Sequence, residues 1–93
     1  MEDLKPYRAR IDAIDDQIVD LLAQRLDIIR EVGDLKAAQN IPPILQDRVD
    51  EVLNRTEARA ASKNLDASLV RDLYTKLIRY CCDLEAKIIG KKS

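Results

Sequence analysis

Arg25 stands in a heptad-spaced apolar stripe, Ile11, Ile14, Ile18, Leu21, Ile28, Val32 and Leu35, at a position where a hydrophobic knob belongs. A guanidinium stays protonated at any physiological pH, so a cation placed there needs an anion beside it. Two further cations lie near the same stripe, Arg8 toward its start and Lys36 at its end. Together the three suggest a pocket for a small molecule with more than one carboxylate. Other readings remain open at this point. An Arg in a helical interface can pair with a protein carboxylate and fix register, and charges at helix ends can simply face water. Arg48, farther along, flanks the apolar positions Leu45, Val49 and Val52, from which an Arg commonly snorkels to solvent. Near the C-terminus, Tyr74, Ile78, Cys81, Glu85 and Ile88 recur at spacings of four and three, which turns the Glu85 carboxyl inward. An inward Glu needs a proton or a partner, and a core Arg such as Arg25 would supply the partner.

These residues are carried by helices. From about Leu4 to Gln39 the helical period runs without an internal Pro, and Gly33 is its weak point, costing about 1 kcal/mol relative to Ala. The segment Asn40-Ile41-Pro42-Pro43 ends it. A second amphipathic helix is expected from about Leu45 to Ser62, with Leu45, Val49, Val52, Leu53, Thr56 and Ala60 along one side, and a turn at Lys63-Asn64-Leu65. Asp66 caps a third helix that reaches about Ile89, where Gly90 stops it and leaves a frayed tail. No strand pattern or repeat is present.

The first helix is too long for its chain. About 35 residues at ~1.5 Å each span ~50 Å, against a radius of gyration of ~12 Å for a compact globule of this size. A second copy must cover the rod, which predicts an all-α, three-helix chain in an intertwined homodimer. The same geometry distributes the cations. Arg25 and Lys36 lie ~16 Å apart on one helical face, whereas Arg8 is ~25 Å from Arg25 in the other direction. Arg8 therefore reaches the pocket only from the partner subunit, through antiparallel pairing of the long helices that makes two equivalent sites.

Ninety-three residues allow one domain, taken as 1–93, with oligomerisation helping a small core. Sixteen basic against 17 acidic residues give a net charge of −1, and there are three Tyr with no Phe or Trp, so neither a field nor a stacking platform recruits nucleic acid. No segment approaches a membrane span or a secretion signal, which predicts a cytoplasmic protein. With no His, and with the only two cysteines adjacent at Cys81-Cys82, a transition-metal site and a His-based triad are not expected.

The segments Arg8-Ala9-Arg10-Ile11-Asp12-Ala13-Ile14-Asp15, Leu21-Leu22-Ala23-Gln24-Arg25 and Glu31-Val32-Gly33-Asp34-Leu35-Lys36, the Pro42 turn before Asp47-Arg48, and Leu65-Asp66-Ala67 resemble the all-helical chorismate mutases over nearly the whole chain. The resemblance implies an intertwined dimer of three-helix chains. It also implies a cofactor-free [3,3] rearrangement of chorismate to prephenate, at a branch toward aromatic amino acids or a related secondary pathway. By the same resemblance, Arg8 of the partner, Arg25 and Arg48 bind the two carboxylates of chorismate, and Lys36 donates to a carboxylate and the ether oxygen. Glu85 falls where the family usually has Gln; only its protonated form could donate to that oxygen, which predicts an acidic optimum.

Three positions depart from the family pattern. Val49 replaces the Glu that binds the substrate's ring hydroxyl, Leu45 replaces a nearby aspartate, and Cys81 replaces a small hydroxyl residue. An apolar residue at Val49 is shared with related isochorismate-pyruvate lyases, so such a lyase, or a mutase for an amino-substituted chorismate, is the alternative enzyme. A non-catalytic helical dimer binding a dicarboxylate effector is the alternative outside enzymes.

Overall fold

Helix α1, Lys5–Gln39, follows a 3-10 turn at Glu2–Leu4 in the computed structural model, which describes residues 2–92. Pro6 sits in the first turn of α1, where a missing N–H costs nothing. The helix ends because Asn40 adopts the left-handed conformation, φ 57° and ψ 40°, and Ile41 N–H donates to Lys36 O at 2.9 Å. An Asn whose short polar side chain tolerates this geometry closes the helix end, and Pro42-Pro43 then prevents it from resuming.

Helix α2, Gln46–Ser62, buries Val52, Leu53, Thr56 and Ala60. The Thr56 hydroxyl is satisfied inside the helix by donating to Val52 O at 2.8 Å. Asn64, at φ 60°, repeats the left-handed stop: Leu65 N–H donates to Ala60 O at 2.9 Å and Asn64 N–H to Ala61 O at 3.3 Å. Helix α3, Ala67–Lys92, is capped as the sequence implied, since the Asp66 carboxylate accepts from the Ser68 hydroxyl at 2.7 Å and from its N–H at 2.9 Å. Those two bonds hold the Asp66 carboxyl below its usual range. The expected stop at Gly90 is corrected: α3 continues through it to Lys92, and no glycine has a positive φ. The frayed tail expected at the C-terminus ends in Ser93, outside the described residues.

The chain runs up, down and up. Gly33 and Arg25 of α1 meet Ile88 and Cys81 of α3 in parallel order, and α2 runs antiparallel to α3, its Glu57 pairing with Arg71 while its earlier Arg48 and Val49 share a cavity with the later Cys81 and Glu85. Helix α3 packs on both others, while α1 and α2 stand apart and leave a groove along it. Gly33 is the buried residue of α1, and its role is close approach: a Cβ there would sit 3.0 Å from Ile88 Cδ1 and 3.3 Å from Ile88 Cγ2. Gly33→Leu should therefore overpack the α1–α3 contact and cost about 1–3 kcal/mol, read as a lower melting temperature. An unchanged melting temperature would show that the contact can spread at no cost.

The molecule measures 56 × 25 × 15 Å with a radius of gyration of 16.8 Å, well above the ~12 Å of a compact chain of this length. Its excess is the N-terminal half of α1, where Ile11, Ile14, Ile18 and Leu21 are at least half exposed. The heptad stripe is thus not this chain's own core. The face of α1 turned to α3 carries Arg25, Ile29, Gly33 and Lys36 instead.

Candidate active site

Residues spaced four, four and three along α1 share one face, so the folding that brings Gly33 against α3 also brings Arg25, Ile29 and Lys36 to its edge. There they line a cavity of about 130 Å³. The turn after α1 contributes Pro43 and Leu45, the start of α2 contributes Arg48, Val49 and Val52, and α3 closes the far side with Ile78, Cys81, Cys82 and Glu85. Six of the seven site residues anticipated from sequence, Arg25, Lys36, Arg48, Val49, Cys81 and Glu85, therefore meet at one place. Arg8 does not; it is exposed in the early turns of α1, where every described residue through Gln24 is exposed.

Lys36 and Glu85 form the buried polar centre. Their Nζ and Oε1 atoms are 2.6 Å apart, with side chains 12% and 6% exposed. The same Nζ donates to Pro43 O at 3.0 Å, so the chain turn after α1 orients the ammonium. Glu85 Oε1 has no well-aligned donor despite that short separation. We read the contact as charge pairing without a directed hydrogen bond, which leaves the oxygen's bonding capacity unused. The ion pair anticipated for Glu85 exists, but its cation is Lys36 rather than Arg25.

Arg25 makes its hydrogen bond and its ring contact with neutral groups. Its Nη1 donates to Cys81 Sγ at 3.1 Å, and its guanidinium carbon is 6.0 Å from the Tyr74 ring centroid. Neither contact neutralises the charge, and no carboxylate of the described residues pairs with it. The anion that a stripe cation requires is not supplied by the described residues of its own chain. Arg48 is paired with Glu51, but both side chains are more than 60% exposed, a pairing worth little and easily exchanged for a ligand.

Burial pushes the Cys81 thiol above its ordinary range, although the Arg25 charge pulls the other way; burial, reinforced by the Glu85 charge, does the same to Cys82. Both thiols are then protonated at neutral pH, and the cavity presents no thiolate nucleophile. What remains is three cations, Arg25, Lys36 and Arg48, against one carboxylate, Glu85, on walls otherwise made of aliphatic groups. Such a cavity has the charge to grip a compact dianion at more than one point, most strongly where Lys36 and Glu85 are buried.

Sequence reasoning missed Ile29, Pro43 and Cys82. Ile29 follows Arg25 by one helical turn and Cys82 adjoins Cys81, so helical spacing carried a signal for both. Pro43 acts through its carbonyl, which a side-chain reading has no means of finding. Among the described residues, no helix is long and apolar enough to cross a membrane, and no cluster of His, Cys, Asp or Glu is placed to hold a metal ion.

The family described as chorismate mutase type II matches residues 7–86. A 4-amino-4-deoxychorismate mutase of Streptomyces pristinaespiralis is 32% identical over 87 residues, covering 94% of this chain and 67% of that protein. A second protein of that name, from Streptomyces venezuelae, is 29% identical over 98% of this chain and 88% of its own length. A bifunctional chorismate mutase/prephenate dehydratase of Aquifex aeolicus is 30% identical over 95% of this chain, which spans 25% of that longer protein.

Proposed function

We propose, from the premise that this chain belongs to the chorismate mutase type II family, that it is an isomerase converting chorismate to prephenate in the cavity between its three helices. The observation that carries this reading is the uncompensated Arg25 facing a cavity whose lining carries three cations and one carboxylate. A substrate with two carboxylates supplies the missing charge.

The reaction breaks the substrate's ether C–O bond and forms a new C–C bond in one cyclic step, with no proton removed and no covalent intermediate. The protein's task is positioning and electrostatic preorganisation. Arg25 and Arg48 hold the carboxylates, joined by Arg8 of the partner subunit in a homodimer, and the fork of each guanidinium fixes orientation. Lys36, aimed by Pro43 O, donates to the ether oxygen as negative charge grows there. Val49 and Cys81 pack against the ring. The 16.8 Å radius of gyration and the unburied apolar stripe on α1 support the homodimer, because the rod leaves a surface that a second rod would cover.

Glu85 positions Lys36: the ammonium is held between the Glu85 carboxylate at 2.6 Å and Pro43 O at 3.0 Å. Glu85→Gln keeps the shape and brings an amide that can donate to the ether oxygen, so it should retain turnover, whereas Glu85→Ala leaves Lys36 without its partner and should lose at least about tenfold in kcat/KM. Equal losses in the two variants would remove Glu85 from this role.

The relatives favour a second reading. The two Streptomyces proteins carry the name 4-amino-4-deoxychorismate mutase, and Leu45 and Val49 place aliphatic groups, not a carboxylate reserved for a ring hydroxyl, on the cavity wall. On that reading the ring substituent is an amino group. Separate incubations with chorismate, 4-amino-4-deoxychorismate and isochorismate, with product identification, decide the matter. Prephenate from chorismate at the highest kcat/KM is the expected result. Preference for the amino substrate establishes the second reading, and salicylate with pyruvate from isochorismate would replace both with a lyase.

A further inference from the structure

Beyond the cavity, α2 carries a second set of cations. Arg55, Arg59 and Lys63 recur every four residues on the flank that also presents Arg48. All three are exposed, and none pairs with a carboxylate of the described residues. With Leu65, Val70 and Tyr74 they line a groove of about 260 Å³ between α2 and α3. The unpartnered half of α1 carries the complement at the same spacing. Asp12, Asp16 and Asp20 also recur every four residues, all exposed and without cationic partners among the described residues.

We propose that the groove beside α2 receives the α1 rod of a second copy of this chain, with the partner's Asp12 and Asp16 paired to Arg55 and Arg59, and that this charge ladder sets the register that brings the partner's Arg8 to the cavity. The proposal rests on the homodimer reading above and adds its address code. Direction agrees first. Helices α1 and α2 are antiparallel within the chain, so a two-fold pairing of antiparallel α1 rods makes the partner's rod parallel to α2, and both ladders ascend together. Register agrees next. Pairing 12 with 55 and 16 with 59 is an offset of 43, and the same offset sets the partner's Arg8 level with Glu51, between Arg48 and Val52, both on the cavity wall.

The ladder has two rungs. A four-residue spacing advances ~40° beyond a full turn, so the two ladders rotate away from each other and Asp20 and Lys63 fall to the rim. Apolar burial of Ile11, Ile14 and Ile18 would proceed in any register that hides them; opposite charges at fixed heights penalise the others. This is the use to which interface charges are best suited, since they discriminate among arrangements more than they add affinity.

The test is a paired charge reversal. R55E/R59E chains and D12R/D16R chains are made separately and examined by sedimentation velocity at low ionic strength. Each homodimer then sets like charges against each other in both grooves, and its dissociation constant should rise at least about tenfold above the unaltered dimer's. In a 1:1 mixture, each heterodimer has one groove with reversed polarity on both sides and one groove unaltered. The mixture should regain dimer mass and turnover that neither variant shows alone. Recovery on mixing also establishes that both variants fold. Variants that dimerise as tightly as the unaltered chain, or that fail to recover on mixing, overturn the ladder while leaving the homodimer in place. An unaltered chain that sediments as a monomer overturns the homodimer itself. Inorganic phosphate binding that disappears in R55E/R59E while the dimer persists overturns the ladder in favour of a small-anion groove.

Discussion

Arg25→Ala is expected to lower kcat/KM by about 10²–10³, the size of effect seen when one preorganised electrostatic donor is removed from a water-excluded site. The stability change should have the opposite sign from that of most core substitutions. Arg25 donates to the Cys81 thiol and lies over the Tyr74 ring, and among the described residues no carboxylate pairs with its half-buried charge to repay desolvation. Removing it from the free protein relieves that cost, and the melting temperature should hold or rise while turnover collapses. Arg25→Lys keeps the charge but loses the planar fork, and should recover only part of the rate. A correctly folded Arg25→Ala protein with near-normal turnover would show that the cation serves packing alone. A large fall in melting temperature would mean that an anion missing from the isolated chain, such as a partner's carboxylate, compensates Arg25.

The contrast between Arg25 and Glu85 shows where sequence reasoning reached its limit. Arg25 was legible because a charge in a heptad stripe breaks a periodicity, and a broken period needs no knowledge of the neighbouring helix. The inward orientation of Glu85 was legible for the same reason. Its partner was not, because choosing Lys36 over Arg25 depends on how far α1 slides along α3, and that slide is set by Gly33 against Ile88. On propensity alone Gly33 reads as a defect in a helix; in the fold it lets two helices approach. Gly90 misled in the other direction. A glycine near a helix end suggests a stop, but α3 continues through it without a left-handed residue. The stops that do operate, Asn40 and Asn64, lie beside louder signals, a double proline and a short polar turn.

Length was the other legible quantity. The expectation that α1 would outrun its chain needed only a residue count and a rise per residue, and the 56 Å long dimension agrees with it. Why Arg8 stands apart from the six residues that meet in the cavity follows from the same arithmetic. It belongs to the exposed half of the rod, so its proposed contribution is tested between chains.

That test is subunit mixing. On the proposed homodimer, Arg8→Ala and Arg25→Ala single variants should each be nearly inactive, because every site in either homodimer would then lack one carboxylate grip. A heterodimer of the two differs: one site takes Arg8 from the Arg25→Ala chain and Arg25 from the Arg8→Ala chain, and so carries neither lesion, while the other site carries both. Random 1:1 re-association makes about half of the dimers heterodimers, each with one intact site of two. Turnover should therefore return to about a quarter of the unaltered value from a near-zero baseline, with KM in the recovered fraction unchanged. Exchange is verified by mass on a tagged chain. If exchange is complete and activity stays at the sum of the two variants, the cation from the rod's free half does not reach the cavity of a second chain. The site would then have to close with Arg25, Lys36 and Arg48 alone.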